Sequence, residues 1–124
     1  MTIQEVIDLV DRMKPNQFQI SDKIRWINEL EAQIKTNIID RHHLNDGEYY
    51  VYIPYTEDDL DKTLLIEGTY EGIYEKWLYT QIDLANGDTS KYNNSAAVFN
   101  DLFSKFENFY NKTHITIGRR LRFV

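Results

Sequence analysis

Apolar positions recur at three- and four-residue steps over most of the chain, the pattern of helices that each bury one face. The first stripe is Ile3, Val6, Ile7, Val10 and Met13, with Glu5, Asp8, Asp11 and Arg12 outside it. Thr2 with Glu5 three residues on reads as a capping box, each side chain satisfying one free backbone amide. Pro15 closes this helix, because the residue before a proline is pushed out of the helical region. Residues 14–20 form a connector in which Phe18 or Ile20 is expected to tuck against the next helix. Ser21 reads as the N-cap of that helix, with Asp22 in the first turn where the dipole favours an acid. Its stripe is Ile24, Ile27, Leu30, Ile34 and Ile38, with Trp26 beside it. Glu31 and Lys35 are spaced as a surface pair, and the helix is expected to reach residue 39 or 40.

The aromatic weight lies between Thr69 and His114. Tyr70, Ile73, Tyr74, Trp77, Leu78, Ile82 and Ala85 make one helical stripe, and Tyr92, Ala96, Phe99, Phe103, Phe106 and Tyr110 make another, flanked by Leu102 and Phe109. Asn86-Gly87-Asp88 separates them. Gly87 suits the left-handed position after a helix, and Asp88 suits the N-cap of the next. The spacing predicts helices over 69–86 and 89–113 packed as an antiparallel hairpin, with the aromatic stripe as core.

From Asn45 to Glu67 the period changes. Glu48-Tyr49-Tyr50-Val51-Tyr52-Ile53 follows an Asp46-Gly47 turn signal, and Thr63-Leu64-Leu65-Ile66 is a second short apolar run. Two readings stand: a small β-hairpin or extended arm leaving the helical body, or a segment that caps one end of it. The last residues, Ile115 to Val124, alternate apolar and polar around Gly118, as a strand does. Pairing with residues 48–53 or with a neighbouring subunit would cover its edges. The expected fold class is therefore mainly α. It is a small bundle of about four helices (2–13, 21–40, 69–86 and 89–113), with an extended β-like arm and a short C-terminal strand. At 124 residues the chain is one domain, 1–124.

Charge sharpens this outline. Between Asp46 and Glu75 stand nine carboxylates against Lys62 alone, whereas the last seven residues hold Arg119, Arg120 and Arg122 with no acid. Such a division suggests that the basic tail of one copy meets the acidic face of another, with Glu57, Asp58, Asp59, Asp61, Arg119, Arg120 and Arg122 as contacts. The plainer alternative is a solvated acidic loop and a frayed tail. A net charge of −6 argues against a general nucleic-acid surface, and three arginines make a weak case for phosphate contact. No cysteine means no disulfide and no thiolate metal site, in keeping with a reducing compartment. No apolar run approaches the roughly eighteen residues that span a bilayer, and no signal-peptide pattern follows Met1, so a cytosolic protein without membrane contact is expected.

Signals for chemistry are sparse. The chain has no glycine-rich phosphate loop, nucleophile elbow or His-x-x-x-His pair. Asp40, His42, His43 and Asp46 offer metal-ligand chemistry, but adjacent histidines on a helix point about 100° apart. A helix C-terminus also favours imidazolium without any metal. His114 reads the same way, at the end of the last helix. Asn93 and Asn94 lie in the first turns of that helix and are candidates to bond the preceding loop or a partner. No catalytic, cofactor or metal site is expected.

Several segments carry a resemblance. Thr2 to Asp8, Lys14-Pro15-Asn16, Lys23 to Leu30, Tyr70 to Leu78, Gln81-Ile82-Asp83, Asn86-Gly87, Lys91 to Ser95 and Phe109 to His114 together span nearly the whole chain. They resemble the head–tail connector (head-completion, neck adaptor) proteins of Gram-positive tailed phages and prophages. The resemblance implies a non-enzymatic virion protein, made in the bacterial cytoplasm and ending in the head–tail neck. It would assemble as a ring between the portal protein and the neck or tail proteins, prolonging a channel that DNA crosses without sequence-specific binding. A tail-completion or minor capsid role is the near alternative. A small cytosolic protein-binding adaptor and a metal-dependent nuclease are the readings from other classes.

Overall fold

Thr2 opens the first helix as its sequence predicts. In the computed structural model, which describes residues 1–39 and 53–113, its hydroxyl accepts from the Glu5 amide at 3.1 Å. The Glu5 carboxylate accepts from the Thr2 amide, also at 3.1 Å. Helix α1 runs Ile3–Met13 and buries Ile3, Val6, Ile7 and Val10, while Met13 is exposed. Helices α2 (Ile20–Asn37), α3 (Gly72–Ala85) and α4 (Thr89–Thr113) follow, so the described chain is mainly helical with four α-helices.

The start of α2 differs from the expectation. Gln19, not Ser21, is the N-cap, and the Asp22 carboxylate accepts from its amide at 3.2 Å. The connector explains the earlier entry. Asn16 accepts from the Phe18 amide through its side-chain oxygen and donates to the Lys14 carbonyl and to Asp11. The buried Lys23 ammonium then clamps Asp11 at 2.6 Å and the Phe18 carbonyl at 3.0 Å. Phe18 is the residue that tucks in, edge-on against Trp26 at 5.4 Å, and Ile20 remains exposed.

The hairpin forms as expected, one turn shorter at its start. A 3-10 turn occupies Gly68–Tyr70, α3 begins at Gly72, and Ala85 faces solvent rather than the stripe. Gly87 takes φ 72°, which only glycine adopts without strain, and Asp88 accepts from the Lys91 amide as N-cap. Trp77 meets Phe99 at 5.1 Å, and Tyr70 meets Phe106 and Phe109 at 5.8 and 5.2 Å. Those contacts set α4 antiparallel on α3. Trp77 also ties α3 to α2, its indole N–H donating to the Trp26 carbonyl at 2.7 Å.

Among the described residues there is no β-strand. The expected strand at 115–124 and most of the 48–53 run lie outside them. What is described of the 44–68 segment does not leave the body as an arm. Residues 53–56 lie along α2, Glu57–Asp59 form a 3-10 turn, and Leu64 and Ile66 enter the core. The Thr63–Ile66 run pairs with the chain's own beginning: Thr2 and Thr63 form an isolated antiparallel bridge. Leu64 N–H donates to the Met1 carbonyl, and Ile3 N–H to that of Lys62. Burial of Leu64 and Ile66 against helices outweighs the gain from a free hairpin, which is marginal in water.

Candidate functional site

Three polar arrangements are built into this body, and two of them are structural. Glu31, expected on the surface with Lys35, is 1% exposed. Its Oε2 accepts from the Tyr74 hydroxyl at 2.6 Å and from the Leu65 amide at 3.0 Å. The Tyr74 oxygen in turn accepts from the Ile66 amide at 2.9 Å. Burial, and then the Glu31 charge, raise the Tyr74 phenol far above its ordinary pKa. Glu31 lies on the stripe itself, four residues after Ile27 and seven after Ile24. That placement is the sequence signal for its burial.

The second arrangement joins three helices. Asp83, also 1% exposed, receives Lys14 on both oxygens at 2.6 and 2.7 Å and the Ser95 hydroxyl at 2.6 Å. The ammoniums of Lys14 and Lys76 stand 5.4 and 5.3 Å from the centre of the Tyr79 ring, a cation–π arrangement on either helix. Burial and the neighbouring Glu75 push the Tyr79 phenol up to about 12. A cleft of about 320 Å³ opens there, lined by Lys76, Tyr79, Asn94, Ser95 and Val98. Asn93 and Asn94 are exposed. The Ser95 hydroxyl is held by a carboxylate that Lys14 already neutralises, so its geometry is that of a latch joining α1, α3 and α4.

The third is a groove of about 510 Å³ between α2 and the 53–57 segment. Ser21, Ile24, Arg25, Asn28, Glu29 and Ala32 line it from the helix, and Pro54, Tyr55, Thr56 and Glu57 from the other wall. The Asn28 amide fixes that wall: its oxygen accepts from the Tyr55 N–H at 2.8 Å and its NH₂ donates to the Tyr55 carbonyl at 3.0 Å. One side chain thus satisfies both backbone groups of Tyr55, as a neighbouring strand would. Thr56 and Asp59 close the wall with a small capping box, Thr56 N–H to Asp59 at 2.8 Å and Asp58 N–H to Thr56 Oγ1 at 3.3 Å. Nothing in the sequence pattern pointed to Asn28.

The residues expected to make partner contacts are thereby sorted. Glu57 and Asp58 are exposed on the turn, and Asp61 is exposed just beyond it. Asp59 is engaged with Thr56 and, at 3.0 Å, with Lys62. The Thr56 amide, and then Lys62, hold its carboxyl below the usual aspartate range. Arg119, Arg120 and Arg122 lie outside the described residues, as do Asp40, His42, His43, Asp46 and His114. Among the described residues no three His, Asp or Glu side chains are grouped to hold a metal ion, and no helix is long and apolar enough to cross a membrane.

The surface of α4 carries two exposed apolar side chains with the exposed Asp101–Lys105 ion pair between them. Val98 and Phe109, eleven residues apart and so about three turns along one edge, are 51% and 47% exposed. No family model, curated protein or solved structure matches the chain.

Proposed function

We propose that this protein is a non-catalytic assembly subunit, a head–tail connector adaptor that forms a ring between a phage portal and its neck or tail proteins. The observation that carries the reading is a pair of dissimilar surfaces on different helices of the same body. Helix α4 presents Val98 and Phe109; beside α2 lie the groove and the exposed Glu57, Asp58 and Asp61. A closed ring requires head-to-tail contacts between two different patches on each copy, whereas a two-fold dimer requires one patch that matches itself. The buried networks at Glu31 and Asp83 support the same view, since each holds elements in place with its polar atoms turned inward. Sequence resemblance to the connector family supplies the specific setting, and the acidic surface suits a channel that phosphate must pass without adhering.

The test is assembly on a portal. Full-length protein mixed with the portal protein encoded in the same phage or prophage genome should co-sediment with it and appear as an added ring by electron microscopy. Folded protein that does not bind the portal refutes the reading. The groove beside α2 favours a second one, a cytosolic adaptor that binds a protein segment there. Capture from cells of host enzymes, without any portal or tail component, would select it.

A further inference from the structure

We infer that the groove between α2 and residues 53–57 receives the C-terminal tail, residues 114–124, of a second copy of this chain. The inference rests on the assembly reading above and gives it a specific joint. The groove is preformed, because Asn28 pins Tyr55 through two hydrogen bonds and Thr56 and Asp59 fix the turn that follows. Its floor is apolar, from Ile24, Ala32, Pro54 and Tyr55, the α2 rim carries the Arg25–Glu29 ion pair at 3.3 Å, and Glu57 on the opposite rim makes the groove net negative. Asp58 and Asp61 add negative charge just beyond the rim.

The tail has the complementary pattern. Eleven residues follow Thr113, three of them arginine and none acidic. Extended, the ten from Ile115 to Val124 reach roughly 33 Å, at about 3.3 Å per residue. Side chains of an extended segment alternate, so Leu121 and Phe123 would share one side and Arg120 and Arg122 the other. The first pair fits the apolar floor, and the second fits the net negative charge of the groove.

Position argues for a second copy rather than the same one. At 100° per residue, Ser21, Ile24, Arg25, Asn28, Glu29 and Ala32 form one stripe of α2, opposite the stripe of Trp26, Leu30 and Ile34. The latter side faces α3, since Trp77 bonds the Trp26 carbonyl and Tyr74 bonds Glu31. Helix α4, from which the tail departs, packs on α3. Helices α2 and α4 both run antiparallel to α3, so the chain's own tail, leaving α4 at the end where α2 also finishes, would have to reverse direction to lie in the groove.

The chain has no cysteine, so single-cysteine variants report the contact directly. Ala32→Cys in one copy and Leu121→Cys in another, distinguished by a tag of different mass, are mixed at equal concentration under mild oxidation. A disulfide-linked heterodimer should form roughly tenfold or more faster than from Leu121→Cys mixed with Ser104→Cys, an exposed position on α4. Ser21→Cys, at another point of the same groove, serves as an independent acceptor. Reversing the rims with Glu29→Lys and Glu57→Lys should return the rate to that of the control. If neither groove variant exceeds the control, the inference is overturned. It is overturned equally if a chain carrying both Ala32→Cys and Leu121→Cys closes on itself as a monomer in preference to the cross-link. Cross-linking in a protein that ignores the portal upholds this inference while removing the phage reading, and portal binding without the cross-link removes this inference alone.

Discussion

Removing the Tyr74 hydroxyl should weaken the fold more than a loss of one oxygen atom suggests. Tyr74→Phe keeps the ring in its place, fully buried, but deletes two hydrogen bonds at once. The one to Glu31 at 2.6 Å has a charged acceptor and contributes about 1.5–3 kcal/mol. The other leaves the Ile66 amide, at a largely buried residue, without its acceptor, which costs about 1–3 kcal/mol unless water reaches it. Partial relaxation makes the net loss about 2–4 kcal/mol. For a domain of this size, with an urea m-value of about 2 kcal/mol/M, the unfolding midpoint should fall by about 1–2 M.

Two Glu31 variants bracket that value. Both donors approach the same oxygen, Oε2, so Glu31→Gln can present its carbonyl there and should cost only about 1 kcal/mol. Glu31→Leu orphans the Tyr74 hydroxyl and the Leu65 amide together and should cost about 3–5 kcal/mol. Urea titration followed by the fluorescence of Trp26 and Trp77 measures the series. Hydrogen exchange at the Ile66 amide should quicken in Tyr74→Phe beyond the global change. A Tyr74→Phe protein within about 0.5 kcal/mol of the parent, or a Glu31→Leu protein as stable as Glu31→Gln, would refute the account of this network.

The latch at Asp83 predicts that Lys14→Met, which leaves a buried carboxylate with Ser95 alone, destabilises by about 2–4 kcal/mol, and Ser95→Ala by about 1–2 kcal/mol; thermal or urea unfolding reads both. Tyr79 predicts an alkaline limb. Its folded pKa of about 12 exceeds the ordinary 10.0, so its contribution is whole below pH 10 and is lost as pH rises through about 12. Tyr79→Phe should flatten the fall in stability over that window, as measured by unfolding at fixed pH steps. At the surface, Val98→Ser should leave stability within about 0.5 kcal/mol, and Phe109→Ser, which also gives up its contact with Tyr70, should cost about 1–2 kcal/mol; both should reduce co-sedimentation with the portal.

Local signals were read correctly where cause and effect lie within a few residues. The Thr2–Glu5 box, the Asn86–Asp88 turn and the stripes of α1, α3 and α4, apart from the exposed Met13 and Ala85 and from Tyr70 in the turn before α3, each depend on neighbours in sequence. Misreadings arose where a partner is distant. Ser21 has the better N-cap chemistry, yet Lys23 reaches back to Phe18 and Asp11 and starts α2 two residues earlier. Glu31 has a lysine at helical spacing, yet its partners are Tyr74 and Leu65, 43 and 34 residues away. Thr63–Ile66 has strand composition, yet its backbone pairs with the first residues of the chain rather than with a hairpin strand. The groove was invisible for the same reason: its second wall is held by Asn28, 27 residues from the Tyr55 backbone it clamps.

The buried charges bear on function through what they hold in place. Lys23 fixes the α1–α2 connector, Glu31 fixes residues 65 and 66, and Asp83 holds the end of α1 against the hairpin. Lys23 and Glu31 each hold the backbone of an irregular segment that apolar packing alone would leave loosely placed, and Asp83 holds helices to one another. Removing one partner of such a group is costly, so the non-helical segments are held in register with the helices. The wall at 53–57 gains from this directly, because the chain that follows it enters the core at Leu64 and Ile66 under the hold of Glu31 and Tyr74. A groove whose far end is anchored in that way loses little conformational entropy when it is filled, so more of the contact energy of a short basic tail appears as affinity.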